Sequence, residues 1–170
     1  VHNATLAYVP PGLLPKDSLQ WPALTQLSGE LVIDRAILQV KGARASVAGA
    51  PDLRIVRADA VIDRLYDGAT VSVTAEAQGP VSDMLGVVVN GSPLGRLMDH
   101  ALERATATGS ADYRFKLGVP IAAVERATVR GTVALAGNDL QITPDTPRLS
   151  RARGTIAFTD TGFSVAGVQA

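Results

Sequence analysis

Alternation of apolar and polar residues with a period of two is the feature that most constrains this chain. Over 107–119, apolar or small residues such as Tyr113, Phe115 and Leu117 alternate with polar ones such as Arg114. This pattern is typical of a β-strand with one buried face and one solvated face. At about 3.3 Å per residue, the stretch would be about 40 Å long. The pattern therefore predicts a long strand with two faces of different polarity.

The same alternation recurs along the chain. It is clear over 56–62, 69–77 and 127–135, and in the first of these Val56 and Ala58 are predicted to share the apolar face. Since most connections are too short for parallel crossovers, the sheet is predicted to be antiparallel. Shorter strands are predicted at 5–9, 28–34, 36–41, 140–143, 155–159 and 163–167.

A helical insert, about 80–104, interrupts the strands. In its first half Val81, Met84, Leu85 and Val88 follow helical spacing. A second helix is predicted to follow, and we interpret both apolar stripes as core packing. The second helix begins at Ser92-Pro93, with an apolar stripe of Leu94, Leu97, Met98, Ala101 and Leu102.

The charge balance limits the partners of this chain. Its 16 Lys and Arg residues are matched by 16 Asp and Glu residues, and no long basic run is present. Nucleic-acid binding needs concentrated positive charge, so no nucleic-acid partner is predicted. The apolar runs are also far shorter than the roughly 20 residues of a membrane-spanning helix.

Residues that could carry catalysis are sparse. The chain has no Cys, which excludes thiolate chemistry, and only two His, His2 and His100. His100 lies beside Asp99 and near Glu103, but no further ligands follow at the spacing of a metal site. No nucleophile elbow or phosphate-binding loop is present. We therefore predict no catalytic residue, no metal site, no cofactor and no enzyme activity.

An internal repeat is visible at the two ends of the chain. Residues 22–45 align with 147–170 without a gap, with six identical positions and with the apolar positions in phase. The sequence that follows Ala4 also resembles the sequence that follows Asn138. A unit that cannot close its own sheet is expected to have neighbours on both sides.

The repeat predicts how the chain is organised. Residues 1–170 are expected to be a single fragment of a repeated structure within a longer protein. The first repeat unit would cover about 1–136, including the helical insert, and 137–170 would begin the next unit.

The apolar face of such a sheet needs a cover. Two helices of about 11 residues are each roughly 16 Å long, less than half the length of the longest predicted strand. Either part of the face is open as a groove, or the sheet curls into a closed sandwich or barrel. Both solutions satisfy the pattern, and the many Ala, Val and Gly residues on the face favour the groove. The predicted fold is thus mainly β (α+β): a long curved antiparallel sheet with one apolar face forming a groove, plus a short helix pair.

A succession of short motifs carries a family resemblance. The chain resembles the AsmA-like proteins of Gram-negative bacteria, closest to the YhdP type, over essentially its whole length. The motifs are LAYVPP at Leu6, WPAL at Trp21, LSGELVID at Leu27, LQVKG at Leu38, AEAQGP at Ala75, SPLGRL at Ser92 and TVRGTVALAGNDLQITP at Thr128.

The resemblance implies a function. Such proteins are anchored in the inner membrane and extend through the periplasm as repeated β-groove units, which carry phospholipid towards the outer membrane. The partners would be phospholipid acyl chains, neighbouring repeats of the same chain, and both membranes through parts absent here. No catalytic residues are implied. The expected groove lining is Val71, Val73, Ala75, Tyr113, Phe115, Leu117, Val129, Val133 and Leu135.

Other classes of protein fit parts of the pattern. A structural or adhesive β-sandwich repeat of a secreted or surface protein predicts a closed, dry core and no lipid path. A soluble lipid carrier would have one closed-ended pocket, and the internal repeat argues against it.

Overall fold

Strands dominate the computed structural model of the protein, as predicted. It describes residues 2–6, 21–64, 68–92, 95, 100, 102–123 and 126–169. The strands are β1 (Ala4–Leu6), β2 (Leu24–Asp34), β3 (Ile37–Val47), β4 (Ala50–Asp63), β5 (Thr70–Pro80), β6 (Thr106–Ala107), β7 (Ser110–Pro120), β8 (Thr128–Gln141), β9 (Leu149–Thr159) and β10 (Gly162–Gln169). The helix α1 (Val81–Asp83) continues directly as a π-helical segment (Met84–Asn90).

All the strands in the described part of the chain belong to one antiparallel sheet. Their order in the sheet is β1-β2-β3-β4-β5-β7-β8-β9-β10, which is their order in the chain, and β6 pairs with β8 beyond the start of β7. The helical insert lies between β5 and β6. This open antiparallel sheet confirms the predicted fold class, whereas a closed sandwich is not found in the described residues.

The long alternating strand predicted over 107–119 is divided into β6 and β7. The interruption is at Gly109, which has a left-handed φ of 78°. The side chain of Asn138 fills the gap, because its Nδ2 donates to the carbonyl oxygens of Thr108 at 2.9 Å and Ser110 at 3.0 Å. Alternation continues across such a break, so the sequence pattern does not show it.

A β-bulge changes the predicted phase of β4. Ile55 pairs with Ala77 and Arg57 pairs with Glu76, which leaves Val56 as the extra residue. The prediction placed Val56 in phase with the apolar face, and this was wrong, because Ile55 is paired there instead.

The first predicted helix is present, but part of it is π-helical. Val81, Met84, Val87 and Val88 pack against the buried core. The stripe was predicted to include Leu85 and not Val87, because it assumed an α-helical repeat. The wider turn of a π-helix moves the contact along the chain.

The second predicted helix, 92–104, falls mainly outside the described residues. Its described end, 102–104, forms a turn and not a helix. Ser92 is buried, and its hydroxyl donates to the carbonyl oxygen of Val88 at the end of the π-helical segment. The predicted stripe residues outside the described part are Leu94, Leu97, Met98 and Ala101.

The core lies at one end of the sheet, beneath the helical segment. We call this the helix end, and the opposite end, where β2 turns into β3, the turn end. The core is built from small and branched aliphatic side chains and one Tyr contributed by β2 to β5 and β7 to β9. Its buried members are Leu24, Ala45, Val47, Ala50, Leu53, Ala77, Ala111, Tyr113, Leu135, Leu140 and Ala152.

Candidate functional site

The pairing register assigns each side chain to a face of the sheet, because directly paired residues point to the same side. Val73 pairs with Ala60 on one side and Leu117 on the other, and Leu117 pairs with Val129. These four residues therefore share one face, which we call the apolar face.

The apolar face is made of continuous rows of paired residues that run across the strands. Two rows cross seven strands each, from β3 to β10, which is about 29 Å at the usual strand spacing. The first row, nearest the helix end, is Ala45, Ile55, Ala77, Tyr113, Val133, Ile156 and Val165. The second row is Ala43, Ala58, Ala75, Phe115, Gly131, Phe158 and Phe163.

Two further rows lie towards the turn end. They begin on β2 instead of β3 and are equally apolar. The third row is Leu31, Val40, Ala60, Val73, Leu117 and Val129. The fourth row is Ile33, Leu38, Ile62, Val71 and Val119.

All nine residues predicted to line a groove lie on this face. They fall in the four rows, except for Leu135, which pairs with Ala111 one step further into the helix end. Two of them, Tyr113 and Leu135, belong to the buried core, and Phe115 and Val133 pack against it. Their role in binding a ligand stays a prediction.

The other five predicted residues do not belong to the buried core that lies beneath the helical segment. Val71, Val73 and Leu117 are half-buried, whereas Ala75 and Val129 are buried. The predicted set therefore divides into a part covered by the helical segment and a part towards the turn end.

Large apolar side chains that were not predicted as site residues are the most exposed on the apolar face. Ile33 is 64% exposed and Leu31 is 47% exposed on β2, while Phe163 is 46% and Val165 is 51% exposed on β10. The alternation of apolar and polar residues within each hairpin already indicated which face these side chains occupy. Their place in rows that cross five to seven strands required the register.

The opposite face is polar and carries ion pairs at its surface. Arg57 Nε lies 3.0 Å from Asp59 Oδ2, and Arg114 Nε lies 3.6 Å from Glu76 Oε1. The backbone N–H of Gly42 donates to Asp59 Oδ1, and this bond, followed by that from Arg57, lowers the pKa of Asp59 below its usual value. Because burying these charged groups would cost free energy, this face is stable when it is exposed to water.

A hollow of about 1330 Å³ lies at the helix end of the sheet, with paired residues of the polar face among those that line it. Thr25, Ser46, Arg54, Gln78 and Asp112 line it. The predicted groove was on the apolar face, and that groove stays a prediction. What the register does establish is an apolar face that is continuous from strand to strand.

Tyr113 ties β7 to β5 at the covered end of the apolar face. Its hydroxyl donates to the carbonyl oxygen of Gly79 at 3.3 Å. Burial raises the pKa of the Tyr113 phenol, so this group stays protonated and acts as a structural donor.

The described residues contain no cluster of three or more side chains that could hold a metal ion. His100 is exposed, and its Nδ1 lies 3.8 Å from Oε2 of Glu103, three residues further along the chain. Among the helices of the described part, none is long and apolar enough to span a membrane.

The described residues thus form one open antiparallel sheet with a continuous apolar face. A family model described as "YhdP protein" matches residues 1–170. The chain belongs to the YhdP family, which confirms the predicted AsmA-like, YhdP-type resemblance. Searches of the curated proteins and of the solved structures each found no match.

Membership of this family is consistent with a bridge-like lipid transfer protein of the bacterial cell envelope.

Proposed function

We propose that this chain is a segment of a periplasmic bridge-like protein that carries phospholipid between the inner and outer membranes. The observation that carries the proposal is the row structure of the apolar face. Four rows of apolar side chains cross five to seven strands, and the described helical segment packs over the helix end. The family match supports the same function.

The acyl chains would lie along the rows, across the strands. One leaflet of a bilayer core is about 15 Å thick, so one acyl chain would extend over about three strand spacings of roughly 4.8 Å. The third row, which contains Val73, crosses six strands, so one chain occupies only part of it and equivalent positions follow along the row.

The binding energy favours sliding over tight capture. A fully buried methylene group contributes about 0.8 kcal/mol, and contact from one side contributes roughly half of that. A single acyl chain is held reversibly at such strength. The headgroup would stay in water beside the apolar face, so the rows need no polar site for it. The full protein would be anchored in the inner membrane.

The adhesive alternative is not favoured, because a sandwich requires two sheets packed face to face. The ten strands of the described residues form a single sheet.

Site-specific photo-crosslinking tests the proposal. A crosslinking amino acid replaces Val73 in the full-length protein, expressed in the periplasm of a Gram-negative host with radiolabelled phospholipid. Ser72 is the matched control on the polar face, and Tyr113 is the control on the covered part of the apolar face. We expect lipid capture at Val73 and at neither control.

Equal capture at Val73 and Ser72 would contradict a face-specific path. No capture at Val73, with the protein folded, would mean that the apolar face is sealed in the full protein.

A further inference from the structure

The sequence Val-Ile-Asp-Arg occurs twice in the chain, at 32–35 and at 61–64. In the first copy the Asp is the last residue of β2, and in the second copy it is the last residue of β4. Both strands end at the turn end of the sheet, with β3 between them. We call these two copies the rim motifs.

The two rim motifs lie side by side in the same register. Ile33 and Ile62 both pair with Leu38 of β3, and the Val residues that precede them both pair with Gln39. Strands that are two apart in a sheet are separated by about 9.6 Å. One rim motif is therefore a copy of the other, moved two strands along the sheet.

The Arg residues of the two rim motifs also share a backbone conformation. Arg35 has a φ of 53° and Arg64 a φ of 50°, which is uncommon for a residue other than Gly. The first opens the two-residue turn between β2 and β3, whereas the second begins the longer connection between β4 and β5. Their shared conformation is therefore not imposed by one type of turn.

A hairpin of this kind does not require an Arg in its turn. Thr159 pairs with Gly162 across the β9–β10 turn, which has two residues like the β2–β3 turn. There Asp160 occupies the position that Arg35 has in the first hairpin. The guanidinium group of Arg35 is thus not needed to close the turn.

The charged side chains of the rim motifs are free to meet a ligand. Asp34, Arg35, Asp63 and Arg64 are all exposed. In the described part of the chain, no ion pair joins any of these four to another side chain. Since β4 is paired on both sides, the second rim motif is exposed in an interior part of the sheet.

Each rim motif connects the apolar face to charged groups. Ile33 and Ile62 belong to the fourth row of the apolar face, and alternation places the Asp that follows each of them towards the polar face. The Arg comes next, at the end of the strand. Within three residues the rim therefore offers an apolar side chain, a carboxylate and a guanidinium group.

These three groups match the parts of a zwitterionic phospholipid. A guanidinium group binds a phosphate through paired hydrogen bonds, and a carboxylate accepts hydrogen bonds from a primary ammonium group. The Ile side chain offers apolar contact to the acyl chain. An anionic headgroup without an ammonium group would instead bring a like charge to the Asp, which is unfavourable.

We infer that the rim motifs bind the headgroup of a phospholipid of the phosphatidylethanolamine type. Arg64 would bind the phosphate and Asp63 the primary ammonium group, and Arg35 and Asp34 would do the same two strands away. This inference rests on the proposed function, because it concerns the headgroup of the lipid whose acyl chains lie on the rows. A lipid that slides along the rows would then meet equivalent headgroup positions about 9.6 Å apart.

Photo-crosslinking at Val71 measures the headgroup preference, because Val71 pairs with Ile62 in the fourth row. The full-length protein with a crosslinking amino acid at this position is mixed with phosphatidylcholine vesicles. The vesicles contain a trace of one dioleoyl lipid, radiolabelled in its acyl chains, with an ethanolamine, a choline or a glycerol headgroup. We expect at least about threefold more capture of the ethanolamine lipid than of either other lipid.

Removing both guanidinium groups tests the phosphate contact. Arg35→Gln combined with Arg64→Gln should lower the capture of the ethanolamine lipid about fivefold, as expected for the loss of exposed charge pairs. The matched control is Arg44→Gln combined with Arg54→Gln, which removes two exposed Arg residues at the helix end. This control should leave the capture unchanged.

Removing both carboxylates tests the ammonium contact. Asp34→Asn combined with Asp63→Asn should reduce the capture of the ethanolamine lipid to that of the choline lipid, whose ammonium group has no N–H to donate. The capture of the choline lipid itself should not change.

The outcomes separate this inference from the proposed function. Equal capture of the three lipids, or unchanged capture of the ethanolamine lipid when both rim Arg residues are replaced, would overturn the inference and leave the proposed function in place. No capture of any lipid at Val71, with the protein folded, would overturn both.

Discussion

The helix end of the apolar face and its turn end at the β2–β3 hairpin follow the same alternation but differ in burial. At the helix end Leu53 is 1% exposed, whereas at the turn end Ile33 is 64% exposed. The helical segment, whose Val81, Met84 and Val87 pack on the core, covers the helix end, whereas Ile33 lies on β2 near the edge of the sheet. Alternation thus determines which face a side chain occupies, and a separate element determines whether that face is core or surface.

The largest expected difference between the two ends is in stability. Leu53→Ala should lower the free energy of unfolding by about 2–5 kcal/mol, because it leaves a cavity in the core. Ile33→Ala should lower it by less than about 0.5 kcal/mol, because the side chain is already in water. Urea unfolding of both variants measures this. Similar losses would mean that the turn end is covered in solution.

A smaller effect is expected at the buried amide of the helix end. Asn138 is 2% exposed, and besides its two donor bonds its Oδ1 accepts from the Ala136 N–H at 2.9 Å. Asn138→Ala leaves these backbone groups unpaired and should cost about 2–3 kcal/mol. Asn90→Ala, which removes one long bond to the Leu102 carbonyl oxygen, should cost under about 1 kcal/mol. Equal costs would show that water replaces the Asn138 bonds.

A substitution at Gly131, in the second row, tests the packing in the middle of the apolar face. A Cβ there would clash with the Arg114 carbonyl oxygen and lie 2.7 Å from Phe158 Cζ, and Phe115 flanks it on the other side. Gly131→Ala should lower stability by about 1–3 kcal/mol through overpacking. Gly162→Ala, with nothing near its Cβ, is the matched control and should change little. Thermal unfolding compares the two variants.

The smallest expected effect is a pH dependence at the helix end. Asp139 Oδ1 accepts from the Arg151 N–H, and this bond, with the Arg148 guanidinium, lowers the pKa of Asp139 in the folded state. Because the folded pKa is below the unfolded one, the contribution is complete above about pH 4 and is lost as the pH falls through the folded pKa.

Asp139→Asn should therefore make the urea midpoint less sensitive to pH between neutral and strongly acidic buffer. Asp145→Asn, at an exposed position of the following turn, serves as the control. If the urea midpoint of Asp139→Asn depends on pH as it does in the parent chain, Asp139 does not contribute to the loss of stability in acid.

Much of the fold could be predicted because, in strands with one apolar and one polar face, the alternation shows directly which residues share a face. The register of β5 with β7 is regular from Val71–Val119 to Pro80–Ser110, and there the alternation was sufficient. Where a bulge adds a residue, as at Val56, strict alternation assigns residues on one side of the bulge to the wrong face of the sheet.

The candidate site could be predicted only in part, for a different reason. That Val73 and Tyr113 share a face follows from local alternation. That Tyr113 is covered while Ile33 is not depends on where the helical segment packs. In that segment the π-helical turn brings Val87 to the core, and a 3.6-residue repeat does not indicate it.

The sheet order equals the chain order, and this has a consequence for how the protein acquires its structure. Most strands find their partner in the segment made immediately before them, so the loops to be closed are short and contact order is low for a β protein. Folding can then proceed from the N-terminal side as the chain emerges. Each hairpin can be completed before the next strand arrives, whereas the β5–β7 pair has to wait for the helical insert.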